Sequence, residues 1–316
     1  MKSLFTAGAL ALSLLAAPAA ADPATVMAPG GPGGGYDAMA RLPFQAMQEA
    51  GIFTDGAQFT NKGGAGGTIG LAEFVNNNKG NDNAVMSMGA ILVGGILLNN
   101  SPVTLDDLTP LVRLINDTGA VAVPPDSPIK TVDDFVAELK KDPGAFPIGG
   151  GSAGGVDHIA AALIAKEAGA AVDKLNYIPY PSGAEVVAAI AGGTIDGAIS
   201  GVSEFKQFAD AGRLRIIAVT GEERVPGIDA PTLKEAGLNV SIGNWRGIIG
   251  APEMSQEGRQ MWLDRFAKMH ESDAWKKVLE AQSWEDAYLA GDEFEAFLDE
   301  EKTRQEQVLK DVGLLK

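Results

Sequence analysis

Met27-Ala28-Pro29-Gly30-Gly31-Pro32-Gly33-Gly34-Gly35-Tyr36-Asp37 is the stretch whose reading decides the fold. The apolar run Ala24 to Ala28 reads as a strand, and five glycines and two prolines then break it. From Tyr36 to Gly51 apolar residues return at helical spacing, at Met39, Leu42, Ala46, Met47 and Ala50. The pattern is strand, glycine loop, helix N-terminus. Such a turn exposes backbone N–H groups beside the positive end of a helix dipole, which suits an anionic group. Alone, the stretch reads equally well as a linker. A second loop of the same kind, Gly149 to Gly155, again between a short strand and a helix, favours the anion reading.

The chain has 316 residues, 46% hydrophobic and 21% charged, enough for a sizeable core and two domains. Lys2, the apolar run Leu4 to Ala17 and the small residues Ala19-Ala20-Ala21 form an export signal, cleaved after Ala21. No later run reaches the roughly 18 apolar residues of a membrane span. The absence of cysteine excludes a disulfide framework and a lipid-anchored N-terminal cysteine. These features predict a soluble periplasmic protein. With 25 basic and 41 acidic residues the net charge is -16, which argues against nucleic acid and acidic membrane surfaces as partners. An anion site in such a chain must work by local backbone dipoles against the overall field.

Strands are expected at Gln58 to Asn61, Asn83 to Met88, Leu111 to Leu114 and Gly119 to Val123, with helices at Ile69 to Asn77 and Ala90 to Leu98. A third glycine run, Lys62 to Thr68, is read as a turn. After the break Pro124-Pro125-Asp126-Ser127-Pro128 the strand–helix alternation resumes, with a helix from Val132 capped by Thr131. From Gln256 onward nearly everything reads as helix, and this tail is expected to return to the first lobe. The predicted organisation is therefore α/β in two lobes, residues 22–123 plus 247–316 and residues 124–246, joined by strands crossing near Val121 and Ile248.

Several chemical motifs compete with simple binding. Gly149, Gly151 and Gly154 satisfy G-x-G-x-x-G, but the acid expected at the end of the next strand is missing, since Asp173 precedes that strand. Gly150, Ser152 and Gly154 fit a nucleophile elbow, so an exported serine hydrolase using Ser152 is an alternative. Its histidine would have to be His158, too close in sequence for the usual order, or His270, at the end of a charged helix with no motif around it. No metal site and no cofactor is expected, because the acidic cluster Asp292 to Glu301 reads as a solvated helix face. Asp37 and Arg41 are spaced as a first-turn pair, with a cap as Asp37's main role and a ligand contact as its second. Trp245 and Arg246 read as packing at the lobe change, with an ion pair from Arg246 to a substrate carboxylate as the alternative.

The motifs together resemble the periplasmic substrate-binding proteins of tripartite tricarboxylate transporters, the Bug family. The resemblance rests on Pro32 to Asp37 with Ala40-Arg41, Asn61 to Gly70, Pro124 to Pro128, Gly151 to Gly155 with Asp157-His158, and Pro179 to Gly183. Gly192 to Asp196, Pro231 to Gly237 and Asn244 to Gly247 complete it. It implies a two-lobed Venus-flytrap fold of type II and a non-enzymatic receptor. The ligand would be a small organic carboxylate, di- or tricarboxylic, delivered to the membrane components of such a transporter by a monomer. A sensor subunit using the same cleft is a further alternative. In that family backbone amides and water hold the carboxylate, which here implies Gly33, Gly34, Gly35, Tyr36 and Asp37 in one lobe and Ser152, Ala153, Gly154, Gly155 and Val156 in the other. Gly89, Ala90, Ser200 and Gly201 match cleft-lining positions, and Tyr180 and Ser182 belong to the loop expected at the ligand's distal end.

Overall fold

The computed structural model describes residues 23–315, so the export-signal reading lies outside the described residues. The first half alternates β1 (Ala24–Ala28), α1 (Gly35–Glu49), β2 (Ala57–Asn61), α2 (Thr68–Asn78), β3 (Ala84–Gly89) and α3 (Ala90–Leu98). β4 (Thr109–Val123) then runs for 15 residues without a break. The second alternation comprises α4 (Val132–Lys141), β5 (Ile148–Gly150), α5 (Val156–Glu167), β6 (Tyr177–Pro179), α6 (Gly183–Ala191), β7 (Gly197–Gly201), α7 (Val202–Asp210) and β8 (Arg215–Val219). The chain ends in β9 (Gly243–Gly250), α8 (Gln256–Glu271), α9 (Asp273–Gln282), β10 (Glu285–Ala290) and α10 (Asp292–Asp311). Among the described residues no helix is long and apolar enough to cross a membrane.

Two mixed sheets share β4. In the first the order is β2-β1-β3-β9-β4-β10, with β1 parallel to β2 and β3 and the remaining pairs antiparallel. In the second, β4 is flanked by β8 and β7, and β7, β5 and β6 follow in parallel. At roughly 3.3 Å per residue, β4 spans about 50 Å, enough to serve both sheets. Its partner changes at one point: Thr118 pairs with Gly243 of β9, while Gly119 pairs with Gly201 of β7. The sequence predicted two short strands, Leu111 to Leu114 and Gly119 to Val123; the structure joins them into one strand. The strand β10 lies between the helices expected in the tail, in a stretch to which the sequence reading gave no element.

Each sheet is covered by helices whose apolar faces bury against it. The first core joins Met39, Phe44, Phe53 and Phe74 to Trp262, Phe266 and Phe294, so residues of α8 and α10 pack on the first sheet. In the second lobe Phe135, Leu139, Phe146 and Ile164 cover one face, and Val186, Ile190, Phe205 and Val219 cover the other. Thr131 caps α4 as its sequence predicts, forming a capping box with Asp134. The chain is thus a two-lobed α/β protein, with both parallel sets of strands ending in glycine loops beside the lobe boundary.

Candidate functional site

Parallel strands deliver their following loops to one edge of the sheet, and ligands bind there in folds of this kind. Here the loops after β1, β2, β5 and β6 meet across the lobe boundary and enclose a cavity of about 520 Å³. That volume suits a small ligand. Gly34, Gly35 and Tyr36 line it from the first lobe; Ser152, Ala153, Tyr180, Ser182 and Ser200 line it from the second.

The loop geometry explains which N–H groups remain for a ligand. Gly33, at φ +76°, donates its N–H to Asp37 Oδ2 at 2.9 Å, and Gly34 N–H turns back to Gly31. In the second lobe Gly151 N–H goes to Asp157 Oδ2 at 2.8 Å, Gly154 N–H to His158 Nδ1 at 3.0 Å and Gly155 N–H to the Ser152 carbonyl. Among the described residues the N–H groups of Gly35, Tyr36, Ser152 and Ala153 make no hydrogen bond within the chain. They come from both lobes and from residues on the cavity wall. Each pair also stands at or just before a helix N-terminus, where the dipole favours an anion.

Other expected site residues stand behind the wall. Asp37 is 8% exposed; it accepts from Gly33, from Arg41 Nε at 2.8 Å and from Asn61 Nδ2 at 3.0 Å, bracing the first loop against β2. Burial works to raise its pKa, but these hydrogen bonds outweigh it and hold the carboxyl below its ordinary range. Tyr36 turns its hydroxyl inward, accepting from Leu92 N–H at 2.8 Å and facing the Gly89 carbonyl. Gly89 and Ala90 are therefore held at the start of α3 rather than on the wall, and the Ala90 carbonyl accepts from Gln305. Gly154, at φ +74°, backs onto Leu98 of the first lobe, and Gly155 packs on Ile91. Val156 is buried in the first lobe's core, and Gly201 lies against the Asp117 carboxylate.

The wall also includes residues that sequence reading left out of the site, together with Arg246, which it gave only as an alternative contact. The run Gly63 to Gly67 lines it, as do Ile91, Asn99, Asp157, Glu204, Asn244 and Arg246. Arg246 does not offer a free charge. Its Nη1 donates to Asp117 Oδ2 at 2.8 Å, with the two side chains 3% and 0% exposed. Burial opposes the guanidinium's charge, and Asp117 with Glu204 restores it. Gly35 is required beside this pair, because a Cβ there would fall on the guanidinium. Burial pushes Asp157 up to about 7, helped by the negative charge of Glu204 and opposed by the Gly151 hydrogen bond. One signal was available for Asp157 and Glu204: each is an acid in the first turn of a helix that follows a strand end, as Asp37 is.

The hydrolase constellation is not assembled. His158 Nδ1 is occupied by Gly154 N–H, its ring stacks on Tyr177 at 4.2 Å, and burial pushes its pKa down to about 4. His270 pairs with Asp286 at 2.7 Å, beside the C-terminal helices. Neither imidazole hydrogen-bonds Ser152. The strand after the second glycine loop ends at Pro179, so the dinucleotide reading finds no acid there.

Known proteins are similar to this chain in sequence and fold. A relative described as a UPF0065 protein in the gbd 5' region of Cupriavidus necator is 24% identical over 66% of this chain, a match spanning 63% of that relative's length. Protein BugT of Bordetella pertussis is 25% identical, covering 96% of this chain and 95% of its own. Among solved structures, a TctC solute-binding protein from Polaromonas is 28% identical, covers 92% of this chain and 99% of its own, and superposes with a TM-score of 0.65. An R. palustris protein solved with adipate shares the fold at a TM-score of 0.85 and 21% identity, covering 93% and 98% of the two chains. Residues 48–314 match the family described as the tripartite tricarboxylate transporter family receptor, and with that match over most of its length the chain belongs to that family.

Proposed function

We propose that the chain is a periplasmic, non-enzymatic receptor that captures a small organic carboxylate between its lobes and delivers it to a tripartite tricarboxylate transporter. One observation carries this reading: unpartnered N–H groups from both lobes, at Gly35, Tyr36, Ser152 and Ala153, meet at one cavity. A carboxylate offers two oxygens and about four lone-pair sites, so one group can accept from both lobes and favour closure. On this reading the protein works as a monomer, is exported and loses residues 1–21. The lobes divide at residues 118/119 and 242/243, where β4 changes partner and β9 begins. Of the site residues that the sequence points to, we assign ligand contact to those on the wall, and a supporting role to Gly33, Asp37, Gly89, Ala90, Gly154, Gly155, Val156 and Gly201.

The test is a thermal-shift and calorimetric panel of mono-, di- and tricarboxylates, adipate and amine-bearing carboxylates included, on the chain from Asp22 and on Gly34→Val. Gly34 has φ -88° and only ordinary contacts with Gly31 and Ser182 around its missing Cβ, so the variant should fold while its side chain crowds the cavity. A ligand at a hundred times its Kd adds about 2.7 kcal/mol of stability. The expected result is a raised melting temperature with at least one carboxylate, and about tenfold or greater weakening in Gly34→Val. No shift across the panel would overturn the receptor reading.

A further inference from the structure

The cavity carries charge that a polyanion would find unfavourable. Among the described residues Arg246 is the one cation on its wall, and it is already paired with Asp117. Two acids share that wall, Asp157 and Glu204. Glu204 projects from the first turn of α7; Ser200 donates its hydroxyl to Glu204 Oε2 at 2.7 Å. Its carboxyl group rests against Gly183 at the start of α6, where a Cβ would come within 2.7 Å of Glu204 Cδ. Asn244 stands on the same wall, only 4% exposed, and its Oδ1 has no hydrogen-bond partner. A buried acceptor without a donor is costly, but this oxygen is closed to the cavity, whereas the half-buried Glu204 is open to it.

These acceptors divide the cavity by chemistry. The loop N–H groups can hold one carboxylate. A second carboxylate near Glu204 would meet like charge with no free cation to compensate. A hydroxyl would supply a single neutral donor, whereas a protonated amine supplies three donors and a positive charge. Resting on the carboxylate-receptor reading above, we propose that the ligand is a carboxylate bearing a protonated amine, its ammonium group held by Glu204. Glu204 is then the residue that sets specificity.

Isothermal titration calorimetry with chain-matched pairs tests this. Succinate is paired with β-alanine and with aspartate, glutarate with 4-aminobutanoate, and adipate with 5-aminopentanoate; malate supplies the hydroxyl comparison. The proteins are the wild type and Glu204→Gln, which preserves shape and an acceptor for Ser200. Its unliganded melting temperature checks the fold. In at least one pair the wild type should bind the amine about tenfold or more tightly than the diacid, a difference of about 1.4 kcal/mol. Glu204→Gln should lose that preference, weakening the amine while leaving the diacid unchanged or tighter. A wild type that favours the diacid in every pair, or malate over every amine, overturns the proposal and leaves the carboxylate receptor standing. So does a Glu204→Gln variant that weakens amine and diacid equally. No binding by any of these compounds overturns both readings.

Discussion

Asp157 shows how one residue can serve the loop and burden the fold at once. Its Oδ2 fixes Gly151 N–H, while burial holds the carboxyl at about 7, against an ordinary value of 3.8. An acid whose folded pKa is raised binds more protons in the native than in the unfolded state between those two values. Stability therefore falls as pH rises from about 4 to about 7, and is level beyond. Asp157→Asn keeps an acceptor for Gly151 and removes the titration. Relative to wild type, the variant should gain roughly 3 kcal/mol between pH 5 and pH 8, two pH units below the folded pKa at about 1.36 kcal/mol each. Urea unfolding at a series of pH values measures the difference directly. A difference independent of pH would mean that Asp157 is ionised throughout. Nothing in the sequence marked this residue as buried: an acid in a helix's first turn ordinarily favours the dipole from solvent, and only the packing of Tyr177 and β5 around it changes that.

Among the elements, α3 has the most unusual composition, Ala-Ile-Leu-Val-Gly-Gly-Ile-Leu-Leu. Its two central glycines let two loops approach. A Cβ on Gly94 would collide with the Gly154 carbonyl of the second lobe, and one on Gly95 would come within 2.8 Å of the Gly66 carbonyl of the first. Gly94 therefore determines how closely the lobes meet. Alanine is favoured over glycine inside a helix by up to about 1 kcal/mol, so Gly94→Ala should leave the first lobe as stable or more so. The same variant should hold the lobes apart, weakening ligand binding about tenfold and enlarging the radius of gyration measured by X-ray scattering with ligand. Unchanged affinity would show that the contact with Gly154 plays no part in binding. The strand–glycine–helix units around α1 and α5 were legible in the sequence because turn chemistry and periodicity are local. The continuity of β4 was not. Asn116-Asp117-Thr118-Gly119 has the composition of a turn, and it is Arg246, 129 positions later, together with Ser203 that lets Asp117 stay buried inside a strand. The edge strand β10 was hidden likewise, since its half-exposed residues lack alternation and gain their partner from β4. For the site the division is the same: the glycine loops could be read locally, while Glu204, Asn244 and the Gly63 to Gly67 wall needed the fold to bring them together.

At the scale of the whole molecule, long-range and short-range electrostatics oppose each other. The chain carries -16, so a dianion approaching from solution is repelled, whereas within the cavity it meets helix N-termini and unpartnered N–H groups. Salt acts mainly on the first of these. The Debye length shrinks from about 30 Å at 0.01 M salt to about 8 Å at 0.15 M, while contacts inside a closed cleft are screened far less. For a dicarboxylate such as adipate the association rate should therefore rise several-fold over that range, with the dissociation rate nearly constant. This is opposite to the usual behaviour of electrostatically steered binding. A zwitterionic amino carboxylate has no net charge, and its association rate should barely change. Stopped-flow tryptophan fluorescence under pseudo-first-order conditions separates the two rates. An association rate for adipate that falls with salt would mean that the cavity mouth projects a positive potential stronger than the net charge. Capture would then be steered by the ring of helix N-termini, and the acidic surface would serve solubility rather than selection against polyanions.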